Sequence, residues 1–284
     1  PPSGPVPFRP MIIGYQGEAF SYSDRASREL FPEDERIGFP SFVAAFEALA
    51  SKEVDRLVVP IENSTTGSVL PVLDRLTTGE NRIIAEHLVE VRHALLGIPG
   101  TAMEQIERVL SHPEALGQAE SVITHWGWEP VPVHDTAGAV RRVAEAGKVT
   151  DAALAPIDAA APHELAVLMT DVIDRDHNTT RFVVLARGEQ PIPEDADKST
   201  VLFTTAHTPG ALAIALTELG LRGANLTRIE SRPTEEAWRY RFFVDLRHPP
   251  GPEGLASIFE PPLSTISDLC FLGTYRAARD PDDD

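Results

Sequence analysis

The chain has 284 residues, 42% of them apolar, with a single cysteine and a net charge of -18 from 43 Asp and Glu against 25 Lys and Arg. That length suits one large or two moderate globular domains, and the acidic balance repels phosphate backbones, which argues against nucleic acid as a partner. No run approaches the ~20 apolar residues of a membrane-spanning helix, one cysteine excludes an intrachain disulfide, and without a signal-peptide pattern the cytoplasm is the expected location.

The opening "PPSGPVPFRP" and the closing "DPDDD" read as disordered ends. Between them strands and helices alternate. An apolar run at 11–13 and a Gly-bounded turn lead to a helical pattern at 21–30, followed by an apolar piece at 37–39. A second helix is capped by Ser41 and carries Phe42, Ala45, Phe46 and Leu49 on one face. The next strand is 57–61. This order predicts a mainly parallel sheet covered by helices. A second set follows: strands at 88–96, 109–111 and 130–133, a helix after Asp135, and a strand at 152–155 with another helix behind it.

The polar, proline-containing stretch "EQPIPEDADK", 189–198, reads as a linker. After it come a strand at 200–204, a helix at 210–219, strands at 225–230 and 238–246, a proline-interrupted helix from Gly254 and a strand at 269–275. That is the βαββαβ order of a ferredoxin-like unit, with Cys270 as a buried strand residue. No metal-ligand spacing, P-loop or dinucleotide fingerprint is present.

Four polar clusters fall at strand ends of the first region, where open α/β sheets bind ligands. In "GYQGEAFSY", 14–22, two glycines flank a turn feeding a helix, so backbone N–H groups can face an anion. "VVPIENSTTGSV", 58–69, runs a strand into Glu62, Asn63, Ser64, Thr65, Thr66 and Gly67, more polar groups than one helix cap requires. In "SHPEALGQ", 111–118, Ser111 ends a strand, Pro113 suits a first helical turn and Gln118 lies about a turn and a half on. In "NTTRF", 178–182, Arg181 supplies a planar fork that suits a carboxylate, and Thr180 a hydroxyl that both donates and accepts. No single cluster is decisive. The C-terminal region adds "TPGALAIAL", 208–216, and "ANLTRIESRP", 224–233.

Together, and in this order, "GYQGEAFS", "VVPIENSTTGSV", "SHPEALGQ", "NTTRF", "PGALAIAL" and "NLTRIESRP" resemble the prephenate dehydratase family followed by its ACT regulatory domain. The resemblance implies an α/β fold: a two-lobed catalytic region at 11–188, similar to periplasmic-binding-protein lobes, with lobes at about 11–87 plus 175–188 and at 88–174. A ferredoxin-like ACT domain at 198–278 completes it. It also implies conversion of prephenate to phenylpyruvate on the route to L-phenylalanine, no cofactor, and homodimers or homotetramers. Carried over by position, the catalytic residues are Thr180, Glu62, Asn63, Ser111 and Gln118, and the substrate-binding ones Arg181, Ser64, Thr66, Gly17, Ala19, Phe20 and Ser21. Phenylalanine as effector maps to Gly210, Ala211, Leu212, Asn225, Leu226, Glu230, Ser231, Arg232 and Pro233.

Two departures stand out: Pro156 replaces a residue that is often small and polar, and Pro261 and Pro262 break the last ACT helix. With no helical mutase region ahead of Met11, the chain reads as monofunctional. Prephenate carries two carboxylates and a ring hydroxyl that must leave. Arg181 and the helix N-termini following Gly17 and Asn63 are expected to hold the carboxylates, and Thr180 to donate to the leaving oxygen. Glu62 supplies a proton only if burial raises its pKa, and otherwise orients Asn63. The rival readings are an arogenate dehydratase, a prephenate decarboxylase and a non-catalytic amino-acid-sensing binding protein.

Overall fold

The computed structural model describes residues 10–78, 80–174, 177–236 and 238–278. The expectation of disordered ends, except at Pro10, and Arg175 and Asp176 of the first lobe's return segment lie outside the described residues.

In chain order the elements are β1 (Ile12–Gln16), α1 (Tyr22–Leu30), β2 (Glu35–Phe39), α2 (Phe42–Ser51), β3 (Arg56–Asn63), β4 (Gly67–Ser68), α3 (Leu70–Leu76) and β5 (Asn81–Glu90). Then come β6 (Ala94–Gly97), β7 (Arg108–Ser111), α4 (Pro113–Gly117), α5 (Glu120–Trp126), β8 (Glu129–Pro132), α6 (Thr136–Ala146), β9 (Asp151–Ala155) and β10 (Ala166–Met169). The chain continues through β11 (Thr179–Arg187), β12 (Lys198–Thr205), α7 (Ala211–Leu221), β13 (Asn225–Pro233), β14 (Tyr240–Arg247), α8 (Gly251–Phe259) and β15 (Ile266–Tyr275). No described helix is long and apolar enough to cross a membrane.

These elements form two compact units, one of residues up to Gly67 with Val89–Thr180, the other of Ser68–Leu88 with the residues from Arg181 on. Segments 68–87 and 181–188, which the resemblance assigns to the first lobe, thus group with the C-terminal sheet. In the first unit β1 lies between β2 and β3, all parallel, as the alternating pattern predicts. Ser41 caps α2 by accepting from the Ala44 N–H, and Ala45, Phe46 and Leu49 are its buried face. The second sheet of this unit runs β10-β6-β9-β7-β8. Alternation along β9 sends Ala153 and Ala155 to one apolar layer with Val140 and Val143 of α6, and Ala152 and Leu154 to another with Val109 and Trp128.

Three local expectations are corrected. The apolar run 88–96 is two strands, β5 and β6, interrupted at residues 91–93. β6 then runs antiparallel to β9 and β10, so this sheet is mixed rather than mainly parallel. No α-helix follows β9: Pro156 ends the strand and Pro162 sits in a second short turn, leaving 3-10 turns at Ile157–Ala159 and Ala161–His163.

The second unit carries the predicted βαββαβ order as an antiparallel sheet, β13-β14-β12-β15. Its helix-facing side packs Val201, Phe203, Val244 and Leu246 against Leu219, Leu255, Ile258 and Phe259. α8 begins at Gly251, ahead of the expected Gly254, and ends at Phe259, one residue short of the Glu260-Pro261 bond, since Pro261 cannot continue a helix. On the opposite side β15 approaches β5 so closely that a Cβ on Gly273 would lie 2.1 Å from the Ile83 carbonyl oxygen, which only glycine permits. Cys270 is partly buried rather than buried.

Candidate active site

Asn63 at the end of β3 is the hub of a hydrogen-bonded network in the first unit. Its Oδ1 accepts from the Thr65 and Thr66 backbone N–H groups at 2.9 and 3.1 Å and from Thr65 Oγ1 at 2.7 Å. Backbone N–H groups only donate, so the amide orientation is settled and Nδ2 must face Asn178 Oδ1, at 2.7 Å, and Thr180 Oγ1, at 3.0 Å. The next links follow by elimination. Asn178 donates through Nδ2 to Gln118 Oε1 at 2.8 Å, and Gln118 donates through Nε2 to Thr65 Oγ1 at 3.2 Å.

The consequence falls on Thr180. Its oxygen accepts from Asn63, and among the described residues no acceptor takes its proton. Ser64 is arranged alike: its Oγ accepts from the Thr179 N–H at 2.9 Å, and no described residue accepts its proton. The site therefore presents two hydroxyl donors held from behind. Asn63 and Asn178 are buried, whereas Ser64 is exposed and Thr180 half-buried.

Behind Gln118 stands His93, in the break between β5 and β6 and 3% exposed. Its Nε2 lies 3.2 Å from Gln118 Oε1, which the Asn178 bond marks as an acceptor, so this nitrogen carries the hydrogen. Burial drives the imidazole from 6.5 down to about 4, outweighing the Gln118 bond and the Glu114 charge, and the ring is neutral. The Tyr22 phenol, pushed up by burial, donates to the Arg92 carbonyl at 2.7 Å and lies 3.3 Å from His93 Nδ1.

Other predicted residues are placed elsewhere. Glu62 leaves β3 on the opposite side from Asn63 and makes none of the contacts that orient it. Ser111 is fully buried and donates to the Leu154 carbonyl at 2.6 Å, which makes it a tie between β7 and β9 rather than a group offered to a ligand. Thr66 gives its proton to Glu114 Oε1 at 2.7 Å. No helix starts after Asn63, because the polar run closes an Asx turn on Asn63 and α3 begins only at Leu70. Gly17, at φ 115°, opens the turn into α1. Exposed Ala19 follows, then Phe20, whose N–H is taken by Asp24, and Ser21, which caps Asp24 N.

Arg181 is the main correction. Its guanidinium is buried in the second unit, bound to Glu86 and Asp245, so its fork is filled by the protein's own carboxylates rather than left for a substrate's. The sequence alone assigns no role to Asn178, His93 or Tyr22. The signal available was the polar break Glu90, Arg92, His93 inside an apolar run.

The effector motifs lie in the second unit. Gly210 adopts φ 81° ahead of α7, with Ala211 and Leu212 in the first turn. Along β13 Asn225, Ser231 and Pro233 are exposed, while Glu230 accepts from Ser68 Oγ at 2.8 Å and Arg232 forks onto Asp74 at 2.7 and 2.8 Å. Asn225 and Leu226 pair with Arg247 and Leu246, at the Lys198 end of β12; Arg232 pairs with Arg241, at the Thr204 end, which leads toward Gly210. The two halves of the motif set are therefore separated along the sheet of one chain.

The family model described as Prephenate dehydratase matches residues 13–190. A bifunctional N-acyl-homoserine lactone acylase/prephenate dehydratase of Komagataeibacter europaeus is 36% identical over 94% of this chain and 96% of its own length. Arogenate dehydratase/prephenate dehydratase 1, chloroplastic, of Arabidopsis thaliana is 39% identical over 78% of this chain, which spans 57% of that relative's length. The solved structure of prephenate dehydratase from Arthrobacter aurescens in complex with L-Phe is 31% identical, with a TM-score of 0.81 over 94% of this chain and 90% of its own.

Proposed function

This chain belongs to the prephenate dehydratase family, and on that premise we propose that it converts prephenate to phenylpyruvate in phenylalanine biosynthesis, in the cytoplasm. The observation that carries the reading is the Thr180 hydroxyl, oriented by Asn63 with its proton uncommitted. Decarboxylation delivers the C–C bonding pair to the ring, the ring C–O bond breaks and the ring becomes aromatic. Hydroxide is a poor leaving group, so a donor aimed at the departing oxygen lowers the barrier by about 3 kcal/mol, and a solvent proton completes the water. Thr180 is too weakly acidic to give up its proton outright and acts as that donor. The Ser64 hydroxyl and the backbone turn from Gly17 to Ser21 are our assignments for the substrate carboxylates, with Gln118 and Asn178 holding the network rigid behind Asn63.

We assign 11–188 to the catalytic region and 198–278 to a regulatory domain. The Arthrobacter relative's complex with L-Phe supports phenylalanine as effector. Because one chain separates Asn225 from the Gly210 turn and the segment Ser231 to Pro233, we place phenylalanine between the regulatory domains of two copies in a homodimer or homotetramer.

The plant relative's name makes arogenate the alternative substrate. Incubating the purified protein with each acid distinguishes them: phenylpyruvate from prephenate is the expected product, and phenylalanine from arogenate alone would reassign the substrate. Calorimetric phenylalanine binding without turnover of either acid would instead support the amino-acid sensor.

A further inference from the structure

Successive strand residues face opposite ways, so Thr180 turns its hydroxyl to the amide network while Arg181, next on β11, enters a different environment. Its Nη1 donates to Glu86 Oε2 at 3.1 Å and its Nη2 to Asp245 Oδ2. Lys198 Nζ lies 2.9 and 2.8 Å from the two Glu86 oxygens, and the Ala278 N–H reaches Oε1 at 2.9 Å. The remaining Asp245 oxygen accepts from Thr200 Oγ1 at 2.6 Å; that spends the Thr200 proton, so the Tyr275 phenol donates to Thr200, at 2.8 Å. Arg228 Nη1 stands 3.7 Å from Asp245. Arg228, Asp245, Thr200 and Tyr275 come from β13, β14, β12 and β15, so every strand of the C-terminal sheet takes part.

Burial by itself would raise the Asp245 carboxyl, but Arg181, Arg228 and the Thr200 hydroxyl outweigh it and hold the group ionised. Side-chain exposure is 8% for Arg181, 2% for Glu86 and 1% for Asp245, so these charges carry the full desolvation penalty of the interior. Apolar packing would hold the sheet without that penalty. What the ionic arrangement adds is a single permitted position for the guanidinium, with all four carboxylate oxygens bonded.

We propose that Asp245, with Glu86, is a positioning residue for the dehydration: by clamping Arg181 from the C-terminal sheet it sets where Thr180 presents its hydroxyl, and so gives that sheet a hold on the catalytic strand. This deepens, and rests on, the reading of Thr180 as hydroxyl donor.

Asp245→Asn keeps the shape and removes the charge facing Arg181. In the full-length protein kcat for prephenate should fall about 10- to 100-fold with KM within about threefold, and hydrogen–deuterium exchange at residues 179–183 should rise while β1 and α1 stay as in the parent. Thr200→Val removes one hydrogen bond to Asp245 without touching a charge; it should move both readouts the same way by less, and it decides the matter if Asp245→Asn does not fold. Unchanged exchange at 179–183, an increase spread evenly over the molecule, or a raised KM with unchanged kcat overturns the proposal. Should the parent protein leave prephenate unconverted, the dehydratase reading fails separately, and the exchange at 179–183 alone decides whether the clamp exists.

Discussion

Thr180 and Arg181 are neighbours on one strand, yet their surroundings are built on different principles. Around Thr180 the partners are amides, hydroxyls and one neutral imidazole, with the Glu114 carboxylate reached only through Thr66. Around Arg181 they are ions: Glu86 and Asp245, which Lys198 and Arg228 in turn face. Amides and hydroxyls both donate and accept, so a chain of them transmits direction, and the two backbone N–H groups on Asn63 fix the sense of every later bond out to Thr180. Ions only donate or only accept. They saturate one another and close, and what they hold stays in place. The neutral region presents a proton, whereas the charged region holds the Arg181 guanidinium in place.

The largest expected effect breaks the charged side. Arg181→Met strands two buried carboxylates and should cost about 3–5 kcal/mol in denaturant unfolding. Arg181→Lys should lose less and leave KM unchanged; a KM raised tenfold in a folded Lys variant would return Arg181 to the substrate and undo the comparison.

On the neutral side Thr180→Ala should lower kcat about 10²- to 10³-fold with little change in KM, while Thr180→Ser keeps much of the rate. Steady-state kinetics showing kcat within a few-fold of the parent would remove Thr180 from the donor role.

Next in size is a pH effect confined to the first unit. His93 has its pKa depressed from 6.5 to about 4 by burial. Its contribution is fully present above pH 6.5. As pH falls toward 4 the unfolded chain takes up a proton that the folded one refuses, and about 3 kcal/mol is lost. Unfolding free energy followed from pH 7 to 4 should therefore fall more steeply in the parent than in His93→Gln; parallel curves would mean the ring titrates normally.

The most discriminating change is small in atoms. Asn63→Asp keeps the acceptor facing Thr65 and Thr66 but turns the donor facing Thr180 into an acceptor, which captures the Thr180 proton. It should reduce kcat by about 10- to 100-fold with stability changing less than in Arg181→Met. Full activity in a folded Asn63→Asp variant would show that the direction of this network does not matter.

Much of this architecture was legible before folding. The caps at Ser41 and Asp135 and the βαββαβ order rest on interactions within a few residues, and local patterns report them. The break inside 88–96 was not legible, because "LVEVRHALL" is apolar enough to pass as one strand and only the transfer of the chain from one sheet to another ends it. The missing helix behind β9 was half legible in Pro156 and Pro162. At the site, type and position put Asn63, Gln118, Thr180, Ser111 and Glu62 into one group, of which the structure joins the first three in a single network and leaves the other two out of it. The outcome turned on which side of the strand each faces and which carbonyl lies opposite, as Leu154 does for Ser111.

By itself, then, the sequence determined which groups were available: a hydroxyl at 180, a fork at 181, amides at 63, 118 and 178, and the order of elements that carries them. Only the tertiary structure decided how each was spent. The carboxylates that fill the Arg181 fork arrive from positions 95 and 64 residues away, and the amide that holds Thr180 from 117 residues away. The physical reason is that a hydrogen bond has a direction, and for a group able to both give and take a proton that direction belongs to whatever folding places across from it.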